Sequence, residues 1–270
     1  MSLLMRKATL SDASALTEIY FSAFTVDAVS LLAFPRNKSS WDFWYNSVVE
    51  EIADPNAHFL CVYDSDSPDQ KIVAYAKWNG PNVPFGTDLP EWPEGGDHAL
   101  ANHFFGNLVN RHASIMKGRR HWYLELVATR PEYQGKGAAG KLLRWGIERS
   151  DEEGTETYLE ASPDGKPIYE RFGFQEVDRL VVELEGKGEG VLSEKEFIEV
   201  FMIGAPKLPE LLDPTNGGEG SSKAAQNDTT TPAKHLKYHA SVEDGIEMFD
   251  GRTDTVVKTA EVAAADSLPP

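Results

Sequence analysis

Residues 122–143 read WYLELVATRPEYQGKGAAGKLL and carry the strongest structural signal in this chain. The apolar run from Trp122 to Ala128 predicts a strand, and residues 134–140 form a glycine-rich loop. From Ala139 onward, apolar residues recur at the spacing of a helix. Glycine lets backbone N–H groups approach a phosphate closely, and the dipole of the following helix adds partial positive charge. The pattern therefore predicts an anion-binding site between a strand and a helix.

The loop differs from the two common nucleotide-binding motifs. A Walker loop requires Ser or Thr after a Gly-Lys pair, and neither follows one here. Gly135, Gly137 and Gly140 fit the GxGxxG spacing of a Rossmann loop, but that loop should lie near the start of its fold and this one lies mid-chain. The longer pattern Gln134-x-x-Gly137-x-Ala139 resembles the acetyl-CoA pyrophosphate loop of the GNAT superfamily of N-acetyltransferases, (Arg/Gln)-x-x-Gly-x-(Gly/Ala).

The hydrophobic pattern of the chain predicts an α/β (α+β) fold with seven strands and five helices. The predicted strands are Leu3–Ala8, His58–Tyr63, Lys71–Trp78, Trp122–Ala128, Thr155–Glu160, Phe174–Leu184 and Phe197–Ile203. The predicted helices start after an N-cap at Ser11, after the Ser39-Ser40 pair, at Ala99 (to Lys117), at Ala139 and at Pro163 (to Phe172). This order is similar to that of the GNAT fold. The resemblance implies a central mixed, mostly antiparallel twisted sheet of about seven strands, flanked by helices, with an inserted helix before the fourth strand.

The domain organisation follows from changes in composition. We expect residues 1–206 to form the acetyltransferase domain, with an insertion at about 79–118 that is a candidate lid or specificity element. The segment 216–231 is rich in Gly, Ser, Asn and Thr. Such a segment buries little apolar area, so residues 207–270 are predicted to be a flexible or disordered tail.

Charge and cysteine content limit the partners and the location. The formal net charge of −17 argues against nucleic acid or an anionic membrane as a partner and suits a cationic substrate, although many proteins are acidic simply for solubility. The single cysteine, Cys61, excludes an intramolecular disulfide and favours a reducing, cytoplasmic location. No apolar run reaches the ~18 residues of a membrane span. We expect a monomer or homodimer with no membrane partner.

The resemblance implies a set of residues around acetyl-CoA, the expected co-substrate. These are Val127, Thr129, Gln134, Gly135, Lys136, Gly137, Ala138, Ala139, Gly140 and Ser162. In the GNAT family the fourth strand bulges and separates from the fifth, which leaves backbone groups for the pantetheine arm; the break at residues 128–131 is consistent with that bulge. Ser162 stands where the family commonly has Asn, and Gly165 where it commonly has Ala. Lys136 either adds charge near the phosphates or is a solvated loop lysine.

The acid expected in catalysis is Tyr169. The segment IYERFGF, residues 168–174, resembles the Tyr-x-x-x-Gly-Phe signature of the family, in which the hydroxyl lies near the thioester sulfur. A phenol titrates near ~10 and is therefore protonated at neutral pH, which suits it to donate a proton to a leaving thiolate. The alternative is a tyrosine that only packs in the core.

The base is assigned to Glu125, on the fourth strand, where many GNAT enzymes carry a carboxylate base or a water-mediated relay. Strand alternation predicts that Glu125 shares a face with Tyr123 and Val127, while Trp122, Leu124 and Leu126 take the other face. A carboxylate in a central strand needs a partner or a purpose, and a structural ion pair is the alternative. Glu160, His121 and His103 are the other candidates, as is the absence of a dedicated base.

These residues together predict an acetyl-CoA-dependent N-acetyltransferase that needs no metal. The resemblance implies that a primary amine of a small molecule attacks the acetyl thioester directly in a ternary complex. Two alternatives stay open at this point. One is an acetyltransferase acting on proteins or peptides, and the other is a non-catalytic sensor that binds acyl-CoA.

Overall fold

A seven-stranded sheet organises the described part of the chain. The computed structural model describes residues 1–81, 88–184, 186 and 195–207, all within the compact unit Met1–Asp213. The strands are β1 (Leu3–Lys7), β2 (Ala57–Asp64), β3 (Ile72–Asn79), β4 (His121–Thr129), β5 (Glu156–Ala161), β6 (Phe174–Glu183) and β7 (Glu196–Gly204). Their spatial order is β1-β2-β3-β4-β5-β7-β6. Residues 208–270 lie outside the described residues, so the expected disordered tail stays a prediction.

Every neighbouring pair of strands is antiparallel except β4 and β5, which run parallel. The predicted mixed, mostly antiparallel sheet is therefore confirmed. A parallel pair needs a crossover connection. Helix α5 (Ala138–Glu153) makes that connection between β4 and β5. The glycine-rich loop thus lies where the crossover leaves the sheet.

Helices cover both faces of the sheet. They are α1 (Ala13–Ala23), α2 (Ala28–Ala33), α3 (Lys38–Ile52), α4 (His98–Met116), α5 and α6 (Lys166–Arg171). On one face, the core around Leu142 and Leu143 of α5 includes Trp78 and Leu124 of the sheet. The opposite face carries α1, α2, α3 and α4. We call the first the α5 face and the second the α1 face.

The starts expected for two helices were wrong, and a third helix was not predicted. Asn37 caps α3 by accepting a hydrogen bond from the Ser40 backbone N–H at 2.8 Å, so α3 begins at Lys38, not after Ser39-Ser40. A 3₁₀ turn, Leu10–Asp12, precedes α1, which displaces Ser11 from the cap. Helix α2 was not predicted, because its six residues are too short to show a helical period.

The predicted inserted helix is confirmed as α4. Asp97 caps its start by accepting from the Leu100 backbone N–H at 2.9 Å, and Lys117 ends it in a left-handed conformation, φ 49°. Arg111 of α4 forms an ion pair with Asp178 of β6. These contacts fix α4 on the α1 face, beside β6.

Candidate active site

Strands β4 and β5 separate in the middle of the sheet. Their pairing begins at His121↔Glu156 and ends at Leu124↔Leu159. At the same point, β4 shifts register against β3, since Lys77 lies opposite Leu126 and Trp78 opposite Leu124. Glu125 is thus the extra residue of a β-bulge, and the bulge lies before residues 128–131, where the sequence break had suggested it. The result is a gap between the ends of two parallel strands.

The bulge also changes which side chains share a face. An extra residue reverses the alternation of the strand beyond it. Val127 therefore packs in the core of the α5 face with Trp122 and Leu124, whereas Leu126 packs on the α1 face with Tyr123. The expected grouping of Tyr123, Glu125 and Val127 on one face was wrong for Val127.

The backbone of β4 beyond the bulge points into this gap. The Arg130 backbone N–H donates to the Val73 carbonyl of β3 at 2.9 Å. Successive residues of a strand direct their backbone groups to opposite sides, so those of Val127 and Thr129 point away from β3. The Gln134 side chain donates to the Thr129 carbonyl at 3.3 Å, which ties the start of the glycine-rich loop to the strand.

The glycine-rich loop, residues 134–140, opens the N-terminus of α5. Gly135 and Gly137 have φ of 71° and 87°, a left-handed region that disfavours other residues. An added Cβ at either glycine would meet no atom within 4 Å, so the loop faces open space. No side chain caps α5, which leaves the N–H groups of Ala138, Ala139 and Gly140 directed at that space. This arrangement fits a phosphate group.

Two cations lie at the loop, and only one of them was predicted. The Lys136 ammonium donates to the Glu132 carbonyl at 2.7 Å and lies 5.1 Å from the centre of the Tyr133 ring. The guanidinium of Arg144 would be 3.7 Å from a Cβ at Gly140. Arg144 is exposed and forms no ion pair among the described residues. Arg144 could have been identified from the sequence, because it lies one turn beyond the loop on the helix that starts there.

Tyr169 lies in the core of the α5 face, where its side chain is 8% exposed. Its ring packs edge to face on Phe174, with centroids 6.0 Å apart. Burial raises the pKa of the phenol above its usual range, and the charges of Glu199 and Glu160 add to the shift. Within the described residues the hydroxyl has no hydrogen-bond partner. A protonated, unpartnered phenol can donate to a bound group.

The two departures from the family pattern lie next to Tyr169. The Ser162 hydroxyl accepts from the Gly165 backbone N–H at 3.3 Å, so it helps to start α6. A Cβ at Gly165 would come within 3.1 Å of the Tyr169 ring, closer than an ordinary contact. Glycine at this position therefore leaves room for the tyrosine. A contact between Ser162 and the cofactor stays a prediction.

Glu125 is held by an ion-pair network on the α1 face. The Lys77 ammonium lies 2.7 Å from a carboxylate oxygen of Glu125 and 2.7 Å from one of Glu51 on α3. The Asn79 amide also donates to Glu125 at 2.7 Å. The contacts from Lys77 and Asn79 fix the Glu125 carboxylate in place. Its role as the base stays a prediction.

Glu160 lies across the gap, at the end of β5. Burial raises the pKa of its carboxyl group to about 7, while hydrogen bonding from the phenols of Tyr123 and Tyr158 limits the rise. Its Oε1 atom is shielded from solvent and has no hydrogen-bond partner of good geometry among the described residues. A carboxyl group that titrates near neutral pH is suited to accept and release a proton.

The two histidine candidates lie elsewhere. His121 starts β4, at the paired end of the strand, and its Nε2 is 2.6 Å from Nε2 of His112. Burial lowers the pKa of His121. His103 lies on α4 and lines a cavity of about 480 Å³ with Val181 of β6. Neither imidazole reaches the gap.

Five carboxyl groups gather on the α1 face around the gap. They are Asp27, Glu51, Glu125, Glu160 and Glu199. The charge of Glu125 raises the pKa of Glu51 and of Glu160, and the charges of Glu160 and Asp27 raise the pKa of Glu199. We call this set the acidic cluster. Glu199 was not identified from the sequence, although a lone Glu between Ile198 and Val200 in an apolar strand is a readable signal.

Comparison with known proteins identifies the family of this chain. A sequence model described as the acetyltransferase (GNAT) family matches residues 14–174. An uncharacterized N-acetyltransferase of Schizosaccharomyces pombe (strain 972 / ATCC 24843) is 40% identical over 76 residues, which are 27% of this chain and 31% of that relative's length.

Solved structures show a similar fold. Mosquito arylalkylamine N-acetyltransferase like 5b is 13% identical with a TM-score of 0.52, and the match covers 76% of this chain and 100% of that one. A Corynebacterium glutamicum ATCC 13032 structure of "histone acetyltransferase HPA2 and related acetyltransferase" is 21% identical with a TM-score of 0.49, covering 78% of this chain and 100% of that one.

Membrane-spanning helices and metal-binding clusters are both absent from the described residues. None of the helices there has both the length and the apolar run needed to cross a membrane. No group of three or more His, Cys, Asp or Glu side chains in that part of the chain could hold a metal ion.

Proposed function

This chain belongs to the GNAT family of acetyltransferases, and we propose that it transfers the acetyl group of acetyl-CoA to the primary amine of a small molecule, within a ternary complex. The observation that carries the proposal is the gap where β4 and β5 separate, beside the open glycine-rich loop at the start of α5. Glu160 stands at the β5 edge of this gap, and burial raises the pKa of its carboxyl group to about 7. Such a group is matched to remove a proton from an amine at neutral pH.

The residues around the gap fit acetyl-CoA. The free N–H groups at the start of α5 and the exposed Arg144 would hold the phosphates. The backbone groups of Val127 and Thr129, left without a partner strand, would bind the amides of the pantetheine arm. When bound, acetyl-CoA supplies an acetyl group activated as a thioester. The reacting end of the arm would then lie between Glu160 and Tyr169.

The protein's own groups supply the proton transfers. The Glu160 carboxylate accepts a proton from the ammonium form of the acceptor, which leaves the nitrogen lone pair free to attack. The Tyr169 hydroxyl donates its proton to the departing sulfur as the carbon–sulfur bond breaks, and its raised pKa keeps that proton in place until then. The second proton, which the nitrogen loses after its attack, restores the phenol. Glu125, held by Lys77 and Asn79, orders the wall of the gap. Two features favour Glu160 over Glu125 as the base: its pKa near neutrality and its unpartnered Oε1 atom.

The proposal is tested by measuring CoA thiol release from acetyl-CoA by the full chain, with small primary amines in one series and lysine-containing peptides in another. We expect release with small amines and little with peptides. Release with peptides alone would move the function to a protein acetyltransferase. Binding of CoA in calorimetry without turnover on either series would support a non-catalytic sensor instead.

A further inference from the structure

Glu199 has a buried carboxyl group with no hydrogen-bond or ion-pair partner among the described residues. Its residue is 8% exposed. Burial raises the pKa of Glu199 well above its ordinary value, and no lysine or arginine is among the groups that act on it. Ionising a buried carboxyl group with no cation beside it is costly, so Glu199 keeps its proton in the free protein. A cationic ligand would stabilise the ionised form of Glu199.

Glu199 lies next to Glu160 across two strands. In the β5–β7 pair, Phe201 is directly opposite Glu160, and pairing with β5 ends at Val200. Glu199 is two residues from Phe201, so it shares the face of Glu160 and is its diagonal neighbour. The backbones of diagonal neighbours lie about 7–8 Å apart. The two carboxyl groups thus stand a short distance apart on the α1 face.

Both carboxyl groups lie near the reacting position. The charges of Glu199 and Glu160 both act on the phenol of Tyr169. Asp27, which caps α2 by accepting from the Ser30 backbone N–H at 2.7 Å, adds a third negative charge near Glu199. Two described cations lie on that side, and each already has partners: Arg36 donates to the Phe24 carbonyl at 2.6 Å, while Arg111 pairs with Asp178 and lies 5.6 Å from the centre of the Phe201 ring.

Lys77, a further cation beside the acidic cluster, already has two carboxylate partners. Lys77 is bound by Glu51 and Glu125, which leaves Glu160 and Glu199 without a lysine partner. The Oε1 atom of Glu160 also has no partner of good geometry. Two carboxyl groups without a cation, diagonal neighbours on the α1 face, would be matched by a ligand that carries two positive charges.

We propose that the acceptor is an aliphatic diamine or polyamine, whose reacting amine lies at Glu160 and whose second ammonium group binds Glu199, with Asp27 adding to the negative potential there. This inference rests on the proposed acetyl transfer. A monoamine of the same length would leave Glu199 buried and unpaired. A peptide lysine with a neighbouring cation is the competing occupant, and the experiment includes it.

The experiment compares putrescine with butylamine, which keeps the carbon chain and lacks the second amine. We expect kcat/KM for putrescine to exceed that for butylamine on the order of 100-fold, since only putrescine adds a second close charge pair, with Glu199. Glu199→Gln keeps the side-chain shape and removes the charge, so the ratio should fall to within about tenfold of one. Glu152→Gln, an exposed residue near the end of α5, is the matched control and should keep the ratio.

The outcomes separate the two proposals. Equal kcat/KM for the two amines in the parent protein, or an unchanged ratio in Glu199→Gln, would overturn the diamine inference while acetyl transfer stands. A preference for lysine peptides over putrescine would also overturn it. No acetylation of any amine would instead remove the proposed function. Calorimetric binding of CoA to Glu199→Gln shows that the variant is folded.

Discussion

The glycine-rich loop and the acidic cluster are the two halves of the site, and they are built in opposite ways. The loop is seven consecutive residues, 134–140, that act through backbone N–H groups and through the absence of side chains. The cluster is five carboxyl groups from α2, α3, β4, β5 and β7, which meet only in the folded chain. The loop is therefore damaged by adding a side chain, and the cluster by removing a charge.

The largest expected effect tests the residue that lies between the two halves. Tyr169→Phe removes the hydroxyl and keeps the ring against Phe174. We expect acetyl transfer to fall ~10²–10⁴-fold, the usual contribution of a general acid, with CoA affinity retained. Single-turnover kinetics measures the chemical step. Tyr45→Phe, on the exposed side of α3, is the control, and an equal rate in both variants would reduce Tyr169 to a packing residue.

A second substitution tests the loop by adding a side chain. Gly137→Glu places a carboxylate where the phosphates are expected, and like charges about 4 Å apart in partly shielded surroundings repel by about 4 kcal/mol. CoA affinity in calorimetry should fall at least roughly 100-fold.

Gly154→Glu is the matched control for that substitution. Gly154 ends the same helix at φ 63°, so it carries the same backbone strain far from the loop. If the two variants bind CoA equally, the phosphates do not lie at the loop.

The smallest expected effect separates two carboxylates of the cluster. Glu125→Gln removes one charge while Lys77 keeps its ion pair with Glu51. We expect kcat to fall by less than about tenfold, because the variant loses a positioning contact and keeps the base. Steady-state kinetics beside Glu160→Gln measures the difference. A larger loss in Glu125→Gln than in Glu160→Gln would return the role of base to Glu125.

The contrast between the halves also explains what the sequence could predict. The seven predicted strands and the anion loop depend on residues close in sequence, and apolar periodicity with glycine spacing identifies them. The bulge at Glu125 cannot be predicted from apolar periodicity, because the run Trp122–Ala128 has apolar residues on both faces. The register of β4 against β3 determines where the bulge lies, and that register depends on residues far apart in the sequence.

The order of the candidate bases shows the same limit. Sequence reasoning named both Glu125 and Glu160 and placed Glu125 first, from its position on the fourth strand. What distinguishes them is the partner of each: Lys77 and Asn79 hold Glu125, whereas burial acts on Glu160. Partners that come from other strands are not readable from one strand.

The measurement that tests the central claim most directly is the pH dependence of kcat/KM for a small amine in the parent protein and in Glu160→Gln. Burial holds the pKa of Glu160 at about 7, so the carboxylate form of the free enzyme, and with it the rate, should rise through that pH to a plateau. In Glu160→Gln the rise should be absent, with rates ~10²–10⁴-fold below the plateau.

The fold of that variant has its own check in the same pH range. Since the folded-state pKa of Glu160 lies above the ordinary value of 4.5, ionisation of this buried group lowers the free energy of unfolding as pH rises through about 7. Glu160→Gln should therefore melt no lower than the parent protein at pH 8, while its acetyl transfer is lost. A rise through pH 7 that persists in Glu160→Gln, at a rate close to that of the parent, would contradict the account.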